Sequence, residues 1–222
     1  MAKSLKQKNQ PQLVTFVLVN VMGLGAIALG FPHLLALAEE LTKGNWAILG
    51  KLIAVPAVIS LVIGILGWAM PSRGQEVLVF WRTGKHCLPS SRAFTVLGPR
   101  DHRVDMQRLS LRHGPLPTLA AEQTSLWYRM YRSHIDEVSV EDAHGAYLRF
   151  REMTTLALAL LFACVMSSVW FHIPAQRLVL ECILVVVEYL FLMVAARNAA
   201  THFVSNVLAI ESSAPLETPS LR

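Results

Sequence analysis

Four long apolar runs divide an otherwise polar sequence. Run 1 covers residues 13–38, run 2 covers 46–70, run 3 covers 153–171 and run 4 covers 178–196. Run 4 has 19 residues. A helix of that length rises roughly 28 Å, close to the thickness of bilayer hydrocarbon. The pattern predicts an all-α membrane protein with four transmembrane helices.

Short polar connections join the runs in pairs. Residues 39–45 separate runs 1 and 2, and residues 172–177 separate runs 3 and 4. Helices joined by so few residues are antiparallel neighbours, so we expect two transmembrane hairpins. The predicted segments are a polar N-terminus at 1–12, a first hairpin at 13–70, a polar insert at 71–151, a second hairpin with a helical extension at 152–211, and a disordered tail at 212–222.

The insert between runs 2 and 3 is the one extensive polar region of the sequence. Its first half is rich in Pro, Ser and Gly, which favours irregular structure. From Thr118 onwards, apolar residues recur at helical spacing. Ser139 followed by Asp142 resembles a capping box at the start of a further helix. We therefore expect a mainly helical insert whose helices each bury one face.

Composition and charge place this insert relative to the membrane. The chain is 54% apolar, with a mean hydropathy of +0.45, which is too hydrophobic for an average soluble domain. Its net charge of +5 arises mainly in the insert, where twelve Lys and Arg residues stand against eight Asp and Glu residues. Positive charge concentrates on the cytoplasmic side of membrane proteins. We expect a multi-pass protein of the bacterial inner membrane, with the insert and both termini in the cytoplasm, and no specific binding of nucleic acid.

Run 4 carries acidic residues inside its apolar stretch. On a helix that turns about 100° per residue, Glu181, Glu188 and His202 fall within an arc of about 60°. A carboxylate at that depth costs a few kcal/mol unless protein or water shields it. The stripe indicates a pore-lining or proton-relay face. Alternatively, Glu188 is protonated or bonded to a neighbouring Ser, Thr or Asn, and Glu181 lies near the outer interface beside Arg177. A buried ligand site is a further alternative.

Small residues in runs 1 and 2 would let helices approach closely. The candidate packing positions are Gly23, Ala26, Gly30, Gly64 and Gly67. The insert is also too small to be stable alone. Together with the polar stripe, these features favour a homo-oligomer held by helix contacts in the lipid bilayer.

A polar segment directly follows run 4. The sequence Arg197-Asn198-Ala199-Ala200-Thr201-His202 resembles the R-x4-6-H signature of the HEPN ribonucleases, in which Arg and His from two copies act on RNA without a metal. This resemblance implies a membrane-tethered ribonuclease that uses Arg197 and His202. The cluster of Arg197 and Asn198 at the end of a span also suits lipid headgroups or contacts between subunits.

The basic residues of the insert form a candidate surface for a ligand or partner. An anionic small molecule, an acidic lipid or a soluble protein would suit this surface. Its candidate residues are Arg92, Arg100, Arg103, Trp127 and Arg129. The three Cys and eight His residues show no metal-ligand spacing, and no Gly-rich phosphate loop occurs. We expect no metal, no cofactor and no enzymatic activity.

Two further classes of function are compatible with these features. The leading hypothesis is an oligomeric channel or membrane-perturbing effector that is gated through the insert and acts in a bacterial antiviral defence system. The alternative is a scaffold that recruits a soluble partner to the membrane through residues 118–132.

Overall fold

The computed structural model describes residues 5–43, 59–65, 67, 69–83 and 87–215. Within these ranges all regular structure is helical, as the all-α prediction requires. The longer helices are α1 (Leu5–Leu29), α2 (Phe31–Thr42), α3 (Ser72–Phe80), α4 (Met106–His113), α5 (Ala120–Ser133), α6 (Val138–Phe171) and α7 (Ala175–Ser213). Residues 59–65 are also helical, and short turns at Pro89–Arg92, Ala93–Leu97 and Gly98–Arg100 lead from α3 to α4.

Three described helices are long and apolar enough to cross a membrane. They are Gln7–Leu29 in α1, Val138–Trp170 in α6 and Ala175–Ser213 in α7. These helices confirm the prediction of a multi-pass membrane protein. Most of run 2 lies outside the described residues, and with it the predicted second span.

The membrane-spanning helices share one apolar core. α6 and α7 pack along each other after a short turn, in which His172 adopts a left-handed conformation (φ 53°) and Pro174 precedes α7. The buried side chains of this core are Val17, Val21, Ile63, Leu156, Leu160, Cys164 and Val185. Because Ile63 belongs to run 2, the described part of that run contributes to the same core.

α6 and α7 are longer than a bilayer is thick. Their 34 and 39 residues correspond to about 51 and 58 Å of helix, against about 30 Å of hydrocarbon. The excess lies at one end of the bundle, hereafter the polar end, where α6 begins and α7 finishes. The insert packs there, with Leu109, Met130 and Val140 sharing a buried core with Val207 and Leu208 of α7.

Run 1 is broken into two helices, contrary to the expectation of one continuous span. α1 ends at Leu29, and Gly30 adopts a positive φ of 77° before Pro32 opens α2. Arg177 of α7 reaches across and donates from Nη1 to the carbonyl oxygens of Ala28 and Leu29, at 2.9 and 2.8 Å. The prediction that Gly30 packs within a helix is therefore wrong. Its role is conformational, and it also makes room for the Arg177 guanidinium.

Two helix boundaries also differ from the sequence expectations. α6 begins without a side-chain cap, with Glu137 as its N-cap, so Ser139 and Asp142 lie inside the helix and form no capping box. α7 continues to Ser213, and Ser212 is almost fully buried, so the tail begins later than predicted. Both helices are extended because the insert packs against them.

Substitution of Gly30 by alanine tests this account of the break. We expect Gly30→Ala to lower the free energy of unfolding by about 1–2 kcal/mol, because a side chain is strained at positive φ. A Cβ there would also lie 2.6 Å from Arg177. The measurement is thermal unfolding in detergent. Gly25→Ala is the matched control, because a Cβ at Gly25 meets no described atom within 4 Å. Equal melting temperatures for the two variants would contradict the account.

Candidate functional site: the acidic face of α7 and its contacts at the polar end

Glu181 lies in the packed interior of the bundle. Its residue is 1% exposed, and it sits one turn before Val185 on α7. Cys164 of α6 lies close enough to interact with it electrostatically. No described residue forms a hydrogen bond with Oε1 of Glu181. The structure thus places this predicted site residue inside the protein, with one oxygen unsatisfied.

Glu188 occupies a different environment, seven residues further along α7. It is half-buried, and its Oε1 accepts a hydrogen bond from Nδ2 of Asn20 on α1 at 3.1 Å. The same amide group also donates to the carbonyl oxygen of Phe16 at 3.1 Å. Glu188 is therefore held by a polar partner on a neighbouring helix, which fits the interpretation that it is bonded to a neighbouring Asn.

An open groove of about 470 Å³ adjoins Glu188. It lies between α1, α6 and α7, and its lining residues are Pro11, Gln12, Thr15, Phe16, Val19, Asn20, Met153 and Glu188. The walls are mainly apolar, with the polar groups on α1 and at Glu188. The groove runs from the polar end of the bundle to Glu188, which is near the middle of run 4.

His202 does not share this interior position. It is exposed on the part of α7 that extends beyond run 4, whereas Glu181 and Glu188 face α1 and α6. The predicted stripe is therefore divided, with two acids in the membrane-spanning part and the histidine on the outer surface. The helical wheel could not show this division, because it ignores depth along the helix.

The small residues of runs 1 and 2 differ in what surrounds them. A Cβ at Gly67 would lie 2.6 Å from Leu156 of α6, so Gly67 allows close packing within the chain. Cβ atoms built at Gly23 and Gly64 would meet no described atom within 4 Å. Ala26 is half-buried. The faces at Gly23 and Gly64 are thus not covered by any described residue.

Arg197 is engaged at the end of α3. Its Nε donates to the carbonyl oxygen of Val79 at 2.6 Å, and its guanidinium lies 5.5 Å from the centre of the Trp81 ring. Tyr189 donates to the carbonyl oxygen of Leu78 at 2.8 Å and accepts from Nε1 of Trp81 at 2.9 Å. α7 therefore caps the last carbonyl groups of α3, which a helix end leaves unpaired. Asn198, the other member of the predicted polar cluster, is exposed.

The predicted ligand surface is only partly on the outside of the molecule. Arg92, Arg100 and Arg129 are exposed. Arg103 is also exposed, donates to Asp101 at 2.8 Å and to Asn206 of α7 at 3.1 Å, and holds the pKa of the Asp101 carboxyl group at about 2.

Trp127 corrects the sequence expectation of a surface position. Its residue is 7% exposed, stacks on Tyr131 with 5.7 Å between ring centres, and meets Phe203 edge-on at 5.2 Å. Its Nε1 donates to the carbonyl oxygen of Val204 at 3.3 Å. Trp127 is therefore a core residue that fastens α5 to α7.

A cluster that the sequence analysis missed joins α4, α5 and α7. Glu211, whose side chain is 8% exposed, forms an ion pair with Arg112, with 2.9 Å between Nη1 of Arg112 and Oε1 of Glu211. The Nε2 atoms of His113 and His134 lie 2.8 and 2.5 Å from its two carboxylate oxygens. Arg112 also donates to the carbonyl oxygen of Ala214 at 2.7 Å. We call these four side chains, Arg112, His113, His134 and Glu211, the Glu211 clasp.

Metal binding finds no support in the described part of the chain. Within it, no group of three or more His, Cys, Asp or Glu side chains could hold a metal ion. The three cysteines are free thiols. Burial and the nearby Glu76 raise the pKa of the Cys87 thiol, which makes it a poor nucleophile.

Comparison with known proteins gives this chain no relative. No protein-family model, no curated protein and no solved structure matches it. The function must therefore be argued from the geometry of the chain itself.

Removal of the Glu211 carboxylate tests how much the Glu211 clasp contributes to the stability of the protein. We expect Glu211→Gln to lower the free energy of unfolding by about 3 kcal/mol, because breaking a buried ion pair leaves charged partners unpaired. Hydrogen exchange of the amides near the end of α7 measures this loss locally. Glu122→Gln, which removes an exposed acid from α5, is the control. Unchanged protection in Glu211→Gln would show that the clasp does not hold the end of α7.

Proposed function

We propose that this chain is an oligomeric channel of the bacterial inner membrane. In this proposal α7 lines the ion path and the insert, on the cytoplasmic side, gates it. The observation that carries the proposal is the placement of Glu181 and Glu188 on the inner side of one apolar helix. Acids at that depth are costly and rare, and they commonly mark an ion pathway.

The relative directions of the helices support four spans arranged as two hairpins. At the polar end, the start of α1 lies beside the start of α6, because Lys8 pairs with Glu141 and Asn9 donates to Gly145 at 2.8 Å. At the other end, Arg177 joins the end of α1 to the start of α7. α1 and α6 therefore run in the same direction, and α7 runs against them.

The chain must cross the bundle once more between α2 and α3. α1 ends at the end opposite the insert, whereas α3 is held by Arg197 at the polar end. The intervening residues include the helical segment 59–65, whose Ile63 lies in the membrane core. A second span in run 2 supplies this return. The basic insert and the N-terminus then lie together, on the cytoplasmic side by the positive-inside rule.

An oligomer would complete the path. The described residues leave the groove beside Glu188 open on one side and do not enclose a pore. No described atom fills the space beside Gly23 and Gly64, and small residues favour helix contacts in lipid. A second copy packed against these faces would enclose the open groove.

Gating through the insert follows from the continuity of α7. Three sets of contacts fasten the insert to this helix: the cap of α3 by Arg197, the contact of Trp127 with Val204, and the Glu211 clasp. An anionic molecule or protein bound to exposed Arg92, Arg100 or Arg129 would act on α7 through them. Such a ligand opens the path only if it binds the open arrangement more tightly.

A scaffold is the second candidate, and one observation favours it. Leu119, the N-cap residue of α5, and Tyr128 within α5 are 64% and 51% exposed, although they are large and apolar or aromatic. They leave a surface for a soluble partner within residues 118–132. Capture of a partner that is lost in Tyr128→Ala, without any ion flux, would favour this alternative. We do not propose a ribonuclease, because Arg197 is committed to α3 and points away from His202 by about 140° around α7.

The channel proposal predicts depolarisation of cells that express the protein. A membrane-potential dye should report a graded loss of potential as expression rises. Glu188→Gln should reduce that response about tenfold, because it removes the negative charge of the side chain while preserving its shape. A tenfold change corresponds to about 1.4 kcal/mol. Glu122→Gln, with its exposed position in the insert, should behave like the unmodified chain. The proposal fails if no dye response occurs at any expression level.

A further inference from the structure

We infer that the ion carried along α7 is a proton, and that the Glu181 carboxyl group binds it within the membrane. This inference rests on the proposed channel and names its ion. Three features carry it: the enclosure of Glu181, the absence of a cluster of metal-ligating side chains in the described part of the chain, and the groove that leads to Glu188.

The enclosure of Glu181 favours its neutral form. With 1% exposure and no described hydrogen-bond partner for Oε1, an ionised carboxylate would lose its hydration at that oxygen without a described hydrogen bond to replace it. That loss costs far more for a charged group than for a neutral one. The carboxyl group therefore holds a proton at rest, and it can release that proton only when water or another acceptor reaches it.

Among the described residues, Glu181 has no cluster of acidic, His or Cys side chains with which it could bind a metal cation. Hard cations such as Ca²⁺ take six to eight oxygen ligands, and K⁺ needs a cage of carbonyl oxygens to replace its hydration shell. Cys164 offers a thiol, which is a ligand for soft metals. In the described part of the chain no group of acidic, His or Cys side chains could hold a metal ion. A proton needs only one carboxylate oxygen.

A route for protons reaches from the polar end to the middle of the membrane. The groove of about 470 Å³ beside Glu188 has room for several water molecules, each of which occupies about 30 Å³. Gln12, Thr15 and Asn20 supply hydrogen-bonding groups along it. Glu188 marks its inner limit, and the seven-residue step from there to Glu181 corresponds to about 10.5 Å along the helix.

The stretch of α7 between Glu188 and Glu181 forms the gate. A gap of about 10 Å exceeds a direct hydrogen bond, so protons pass only when a shift of α7 admits water between the two acids. In each cycle the neutral Glu181 releases its proton to water on one side, and its carboxylate then takes a proton from water on the other side. The charge and protonation of the protein are unchanged at the end of the cycle.

Ion flux into liposomes tests the inference. The purified full chain is reconstituted into vesicles of phosphatidylethanolamine and phosphatidylglycerol. A trapped pH dye reports proton entry, which a K⁺ gradient with valinomycin drives. A second arm omits valinomycin and follows K⁺ with a K⁺-sensitive dye. We expect proton flux without K⁺ flux, in the unmodified chain or in Glu211→Gln, in which the clasp is released.

The variant arm identifies the proton-binding group. Glu181→Gln should lower proton flux at least tenfold, whereas Glu181→Asp, which keeps a carboxyl group, should retain a measurable part of it. Glu122→Gln serves as the control for loss of an acid outside the membrane.

Each outcome discriminates between the two proposals. K⁺ flux through the unmodified chain, or full proton flux in Glu181→Gln, would overturn the proton assignment and leave the channel standing. Absence of both fluxes from the unmodified chain and from Glu211→Gln would overturn the channel itself. The comparison of the two ions needs no Glu181 variant, so it decides the question even if Glu181→Gln does not insert.

Discussion

A carboxyl group inside hydrocarbon must be shielded, and this constraint organises the membrane-spanning part of the protein. α7 carries two such groups in its apolar stretch, of which Glu181 is buried and Glu188 is half-buried beside the groove. Glu181 is shielded by enclosure, which leaves one oxygen without a described partner. Glu188 is shielded by Asn20, a single amide at the edge of an open groove. The two acids thus lie in different environments on the same helix.

The same helix joins the membrane core to the insert. About 25 Å of α7 extends past Arg197 as a continuous helix, and Val207 and Leu208 in this part are fully buried by the insert. The insert is therefore built around α7 and does not stand beside the bundle as a separate domain. Ionic and hydrogen-bonded contacts hold this arrangement at both ends of α7, with Arg177 at one end and the Glu211 clasp at the other.

The sequence predicted the parts of the fold that depend on local pattern. Apolar run length identified three helices that the structure confirms as long enough to span a membrane, and helical spacing after Thr118 identified the buried face of α5. The assignment of Trp127 to a ligand surface was wrong, because its helical spacing with Met130 and Tyr131 places it on the buried face of α5. Gly30 was assigned to helix packing because a positive φ leaves no signal in spacing alone.

The site was predictable only in part. Glu181 and Glu188 were identifiable because acids in an apolar run are conspicuous. The Glu211 clasp was not, since its Arg and His members lie 77 to 99 residues before Glu211 in the chain and meet it only when α4 and α5 pack on α7. The capping of α3 by Arg197 likewise depends on tertiary contact. One alternative interpretation placed Arg177 beside Glu181. In the structure, Arg177 donates hydrogen bonds to the last carbonyl groups of α1.

Water access to Glu188 tests the central claim most directly, because an ion path requires water where a lipid-facing helix excludes it. In a chain whose three native cysteines are replaced by serine, Glu188→Cys and Phe191→Cys would each be treated in membranes with a water-soluble thiol reagent. Phe191 is exposed on the described surface and belongs to the same apolar run. The account predicts rapid labelling at position 188 and none at position 191. Equal protection of the two positions would contradict it.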